Sequence, residues 1–94
     1  MKNLMADLWN IMRDEDLFRL NAKNDRIGAY TIDTCNTPDC GWETGILKKD
    51  GNWVIVEYYE NEEAAAAGHE RWIQFCATEP TEVWSVQMGS MEVL

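Results

Sequence analysis

The pair Asp50-Gly51 limits what this chain can become more than any other feature of it. It stands between two runs of aromatic and β-branched residues, Gly41 to Leu47 (GWETGIL) and Trp53 to Tyr59 (WVIVEYY). Asp-Gly suits the positive φ angles of a type I′ turn, so the two runs read as a β-hairpin. A two-residue loop at Asp50 and Gly51 sets Lys49 opposite Asn52, Lys48 opposite Trp53, Ile46 opposite Ile55, Thr44 opposite Glu57 and Trp42 opposite Tyr59. One face of the ribbon then carries Trp42, Thr44, Ile46, Trp53, Ile55 and Tyr59. The other carries Glu43, Gly45, Leu47, Val54, Val56 and Tyr58, because side chains alternate along a strand. With apolar residues on both faces, the hairpin must be covered twice or must leave one side for a partner.

A helix is expected immediately afterwards, over 61–78. Asn61 is suited to the N-cap, and Glu60, Glu62 and Glu63 set negative charge against the positive end of the helix dipole. At about 100° per residue, Ala64, Ala65, Gly68, Trp72, Phe75 and Cys76 fall on one face, with His69 at its edge. Glu70, Arg71 and Gln74 point away. Glycine inside a helix costs roughly 0.5 to 1 kcal/mol relative to alanine, so Gly68 among alanines points to close approach of the helix to the sheet. Pro80 ends the helix.

The remaining stretches complete an α+β reading. Leu4, Leu8, Ile11 and Met12 have helical spacing, and a helix over 3–20 would cover the second apolar face of the hairpin. The acidic run Asp14-Glu15-Asp16 is the place where it would break, leaving Leu17 to Ala22 as a short strand instead. Arg26 to Thr34 (RIGAYTIDT) is rich in β-formers and reads as one strand, and Cys35 to Cys40 (CNTPDC) as a loop. Alternation in Glu82 to Met88 marks an extra strand at 82–88, and Gly89 to Leu94 is expected to fray. The expected architecture is thus a small antiparallel sheet of about three strands, centred on the 42–59 hairpin and packed against the C-terminal helix. The whole of 1–94 is read as a single domain, made of an N-terminal helix, a 26–78 core and a 79–94 tail.

Charge and cysteine content narrow the function classes. Seventeen acidic against eight basic residues leave a net charge of −9. That field disfavours direct binding of nucleic acid or an anionic membrane and fits a partner protein with a basic surface. No run of apolar residues is long enough to span a bilayer and the N-terminus lacks a signal-peptide pattern, so a cytoplasmic location is expected. Three cysteines do not make a disulfide framework in such a compartment.

The strings W-E-T-G-I at Trp42 to Ile46, V-E-Y-Y at Val56 to Tyr59 and E-E-A followed by G-H-E-R-W up to Trp72 resemble a group of small bacteriophage- and prophage-encoded proteins. In that group an aromatic-E-T strand, a strand ending in aromatics near an acidic cluster and a helix with E-A and G-H follow one another. Here the matching positions are Trp42, Glu43 and Thr44, then Tyr58 and Tyr59, then Glu63, Ala64, Gly68 and His69. The resemblance covers about a third of the chain and implies phage origin and a compact α+β fold. It brings no established activity.

Three sets of residues are placed where chemistry or binding could occur. Cys35, Cys40, His69 and Cys76 are residue types that zinc accepts, but His69 and Cys76 lie ~10.5 Å apart along a helix at 1.5 Å rise per residue, further than helical ligand pairs usually stand. Apart from zinc in that set, no cofactor is expected. Glu43 and His69 would form a carboxylate–imidazole link if Glu43 faced the helix, read as a polar tie between hairpin and helix. Asp33, Asp39 and Glu43 follow no calcium-loop spacing. The aromatics are the stronger lead: Trp42, Trp53 and Tyr59 share a face in the expected register, Trp84 lies in the tail, and such residues anchor protein interfaces.

Charge, size, aromatic excess and the resemblance together lead to one expectation. The chain is a small acidic phage accessory protein acting as a non-enzymatic protein-binding module, in the manner of an inhibitor of a host defence system such as an anti-CRISPR protein. Its partner would be a host or defence-system protein, or a second copy in a homodimer. The alternative is a zinc- or thiol-dependent structural or regulatory module built on the Cys/His set.

Overall fold

The computed structural model describes residues 20–94, and side-chain surroundings from residue 22 onward. Six strands and one helix follow in the order β1 (Leu20–Ile27), β2 (Tyr30–Thr37), β3 (Gly41–Leu47), β4 (Trp53–Tyr59), α1 (Glu62–Cys76), β5 (Glu82–Ser85) and β6 (Ser90–Val93). The first four form an antiparallel sheet in sequential order, and β5 and β6 pair antiparallel as a separate ribbon. This is an α+β fold with helix α1 laid across one face of the sheet. The helix expected over 3–20 lies outside the described residues, apart from Leu20, which belongs to β1.

Three expectations about strands are corrected. The single strand expected over 26–34 is two strands, joined at Gly28-Ala29, where Gly28 takes φ +60°. A two-residue turn with glycine at its first central position suits the twist of a hairpin. The loop expected over 35–40 is shorter: Cys35 to Thr37 stay in β2, and the Thr37 hydroxyl accepts the Cys40 N–H at 3.1 Å to close the turn. The tail expected to fray after Gly89 is β6, because Gly89 at φ +69° turns the chain back onto β5.

The central hairpin forms, but with a different turn. Asp50 keeps a negative φ and Gly51 alone is positive, at +90°. Lys48 N–H donates to the Asn52 carbonyl at 2.8 Å and Gly51 N–H to the Lys48 carbonyl at 3.0 Å, which closes a three-residue loop with glycine in its last position. The Asp50 carboxylate accepts the Asn52 N–H at 2.9 Å. Pairing near the loop is therefore slipped by one from the expected register, with Ile46 opposite Val54 and Leu47 opposite Trp53. The slip ends at Val56, which is the extra residue of a β-bulge, and beyond it Thr44–Glu57 and Trp42–Tyr59 pair as expected.

The bulge decides what faces the helix. Ile46 and Val54 point to α1 with Val56, and all three are buried with Ile32, Cys76, Val83 and Leu94 in one cluster. Tyr30, Trp72, Ile73 and Phe75 pack around it. The helix enters through Asn61, whose side chain accepts the Ala64 N–H at 2.8 Å. It leaves through Glu79 at φ +59°, a left-handed residue that ends the helix before Pro80. Tyr30 hydroxyl donates to the Pro80 carbonyl at 2.6 Å and fastens this exit to β2. The tail ribbon is held by Val86 N–H on the Ile55 carbonyl at 2.9 Å and by Lys48 on Glu92 at 3.0 Å.

Candidate functional site

Along β5 and β6, Val83 and Ser85 turn inward, while Trp84 and Met91 pair across the ribbon on its outer face. Trp84 is 51% exposed, Met91 50% and Val93 74%. Between this ribbon, β4 and α1 runs a groove of about 730 Å³. Its helix side is Trp72 and Phe75, set edge to face with ring centroids 5.3 Å apart. Val56 and Val83 are at its base, with Val86, Trp84 and Met91 on the ribbon side. Among the described residues its lining is mostly apolar, which is the character of grooves that receive a ligand or a partner's side chains.

Charged groups stand at the rim. Glu57 accepts the Trp72 indole N–H at 2.8 Å and an Arg71 guanidinium N–H at 3.2 Å. Glu82 lies across the groove. Arg71 is exposed and already faces a carboxylate, so the rim adds acid to a chain that is acidic throughout.

Beneath the helix runs a chain of hydrogen bonds that crosses the sheet. Asp25 Oδ2 lies 2.8 Å from His69 Nε2, His69 Nδ1 lies 2.6 Å from Thr34 Oγ1, and the Thr34 and Thr44 hydroxyls meet at 2.5 Å. Thr44 Oγ1 is 2.8 Å from the Tyr59 hydroxyl. His69 and Thr44 are fully buried, and Thr34 is almost so. Burial without a partner would cost each of these groups on the order of 1–3 kcal/mol, and the chain supplies the partners. Burial pushes the Tyr59 hydroxyl up to about 12, with the Glu57 carboxylate beside it adding to the shift and the Thr44 bond opposing it. Asp, His and a hydroxyl occur in the order of a nucleophilic triad, but Thr34 is 1% exposed and its hydroxyl is held between two partners. The arrangement binds helix to sheet.

The structure separates residues that the sequence grouped together. Glu43 does not meet His69: it pairs with Cys35 across β2 and β3 and faces away from the helix, since its neighbour Thr44 faces toward it. The polar link that exists is Asp25–His69–Thr34. Glu43 lines a depression of about 320 Å³ on the far face with Asp33, Cys35, Trp53 and Ile55. Burial raises its pKa, the Cys40 thiol opposes that, and Asp33 adds to it.

The four-residue zinc set is divided in the same way. Cys35 lies on that far face, His69 and Cys76 are on the helix side, and Cys40 is exposed in the turn. Among the described residues no three His, Cys, Asp or Glu side chains gather as a metal site. Burial pushes the Cys76 thiol up to about 11, consistent with a core role. No disulfide joins the three cysteines.

The four aromatics do not form one patch either. Trp42 and Tyr59 pair on the helix side, Trp53 lies on the far face above Gly45, and Trp84 belongs to the groove. Asp25 and Thr34 were not singled out from sequence. Their signal was two threonines, Thr34 and Thr44, inward on apolar strands and in need of partners.

No protein-family model matches the chain, and no curated protein and no solved structure is similar enough to lend it a fold or a role. Among the described residues no helix is long and apolar enough to cross a membrane.

Proposed function

We propose that this chain is a non-enzymatic protein-binding module that takes a basic amphipathic segment of a partner protein into the groove between α1 and the β5–β6 ribbon. The observation that carries the reading is Trp84 and Met91, each half exposed on the outer face of the ribbon and bordering an apolar groove with Trp72 and Phe75 on its other side. Tryptophan and methionine supply large contact area, and hot spots form where aromatics gather in a pocket that a partner can seal. Glu57 and Glu82 at the rim and the net charge of −9 select a basic segment over an acidic one and speed its approach.

The resemblance to phage-encoded proteins directs the search to bacterial host proteins, with defence proteins that carry a basic, nucleic-acid-binding surface as the favoured class. The test compares capture from bacterial lysate by the wild-type chain, by W84S/M91S in the groove and by W53S on the far face. A partner retained by wild type and W53S but lost by W84S/M91S, with affinity that falls as salt rises, supports the reading. Loss through W53S alone places binding on the far face and sinks it. A concentration-dependent dimer abolished by W84S/M91S makes a second copy the occupant and overturns the choice of a basic partner.

A further inference from the structure

Glu57 follows the bulge on β4 and lines the groove, with Trp72 beside it and Glu82 on the opposite side. Its two oxygens are used unequally. The Trp72 indole N–H reaches Oε1 at 2.8 Å and fixes the carboxylate from the helix. Arg71 approaches with one nitrogen only: Nη2 lies 3.4 Å from Oε1 and 3.2 Å from Oε2. A guanidinium in its strong geometry sets two nitrogens on two oxygens, at about 2.7–2.9 Å. The Arg71 contact is long and single-pronged, and its side chain is 63% exposed. Water competes for such a pair, which then contributes little.

We propose that Glu57 is an arginine-receiving subsite of the groove, which Arg71 fills in the unbound chain and yields to a guanidinium of the partner. This rests on the groove being the docking site, and it names the side chain that the site selects. Arginine is favoured over lysine by the chemistry of the lining. The Glu57 carboxylate is already oriented by Trp72, and a planar fork gains from that orientation where a point charge does not. A guanidinium also carries five N–H donors against three on an ammonium, so it can serve Glu57 and still present donors to Glu82. Trp84 lines the same groove and is half exposed, and a guanidinium stacks on an indole face while keeping its in-plane hydrogen bonds.

The resident arginine is the part of the site that distinguishes it from general attraction of base to acid. Net charge draws any cation toward the chain, whereas an exchange at Glu57 has a competitor of its own. Removing Arg71 vacates the carboxylate and leaves its bond to Trp72 in place. Lys23 gives the comparison: it is exposed on β1, at the other edge of the sheet from β4, and removing it changes the net charge by the same amount. No covalent bond is made or broken in the exchange; one ion pair replaces another.

The test titrates the intact chain with short capped peptides in which leucines flank an arginine, a lysine or a citrulline. Affinity is read by calorimetry, and the Trp72 indole N–H is followed in nitrogen-15 spectra. The arginine peptide is expected to bind about fivefold or more tightly than the lysine peptide and to shift the Trp72 indole. Citrulline keeps the shape of arginine without its charge, and its peptide is expected to bind more weakly than either. In Glu57→Gln, whose amide oxygen still accepts the indole N–H, the arginine peptide falls to the level of the lysine peptide. Arg71→Ala strengthens the arginine peptide more than Lys23→Ala does. Equal affinity for arginine and lysine in the wild type overturns the proposal, and so does no binding of the arginine peptide. A preference for arginine that survives Glu57→Gln, or an Arg71→Ala gain no larger than that of Lys23→Ala, overturns it as well. Equal affinities that are both lost in W84S/M91S sink the arginine subsite and leave groove docking standing. Capture from lysate uses no peptide and decides the docking by itself.

Discussion

Gly68 is the point of closest approach between helix and sheet, because the Tyr59 ring occupies the space where a β-carbon would stand. Alanine there gains about 1 kcal/mol of helix propensity but drives a methyl group into the Tyr59 ring. Overpacking of this kind typically costs about 1–3 kcal/mol, so Gly68→Ala is expected to destabilise, by up to about 2 kcal/mol net, with urea unfolding as the check. Glu43 is the opposite case, a residue held against its preference. Its folded pKa lies above the ordinary value of 4.5 because of burial, with Asp33 adding repulsion. The folded state binds this proton more tightly, so the contribution is favourable below the unfolded pKa and is lost as pH rises through the folded one. Glu43→Gln should therefore raise the melting temperature at pH 7, with the gain shrinking as the pH is lowered toward 4, read by thermal melts across that range. Gly68 was legible in the sequence as a site of close approach. The facing of Glu43 was not, since alternation alone does not say which face a helix will choose.

Among the elements, α1 was the most legible: its N-cap, its small face and its end before Pro80 all stand close to where the sequence placed them. Asn61→Ala is expected to cost about 1 kcal/mol through the exposed Ala64 N–H, measured by chemical denaturation, while the helix otherwise keeps its bounds. The β3–β4 hairpin was legible in its existence and not in its register. Asp-Gly is compatible with both a two-residue and a three-residue loop, and the choice was made by burial: slipping by one brings Val54 opposite Ile46 on the helix side, and the bulge at Val56 then restores Trp42 to Tyr59. Gly51 at φ +90° is the residue that this loop requires. Gly51→Ala is expected to lower the denaturation midpoint, more than the same substitution at an ordinary loop position, because alanine is strained at positive φ. The β1–β2 turn at Gly28-Ala29 escaped notice since it is short and has strong strand formers on either side.

For the whole molecule, the buried ionisable groups set the alkaline limit. Tyr59 rises from 10.0 to about 12 and Cys76 from 9.0 to about 11. Both folded values exceed the unfolded ones, so their stabilisation is complete below about pH 9 and declines as pH climbs through 11 and 12. Unfolding monitored by circular dichroism should show stability falling across that window, and Cys76 should resist alkylation at pH 8 while the exposed Cys40 reacts. W84S/M91S should leave this profile unchanged, since its side chains are half exposed. The local elements of the core were determined by the sequence itself, because strand alternation, helical spacing, caps and turn residues act over a few neighbours: the central hairpin, the helix and the acid balance follow from them. Which residues meet across those elements was decided only in the tertiary structure. His69 found Asp25 and Thr34 rather than Glu43, the tail folded back as a ribbon, and the aromatics parted to three places. Each outcome depends on which face of a two-faced hairpin the helix covers, a choice set by burying Ile46, Val54 and Val56 together around a single bulge.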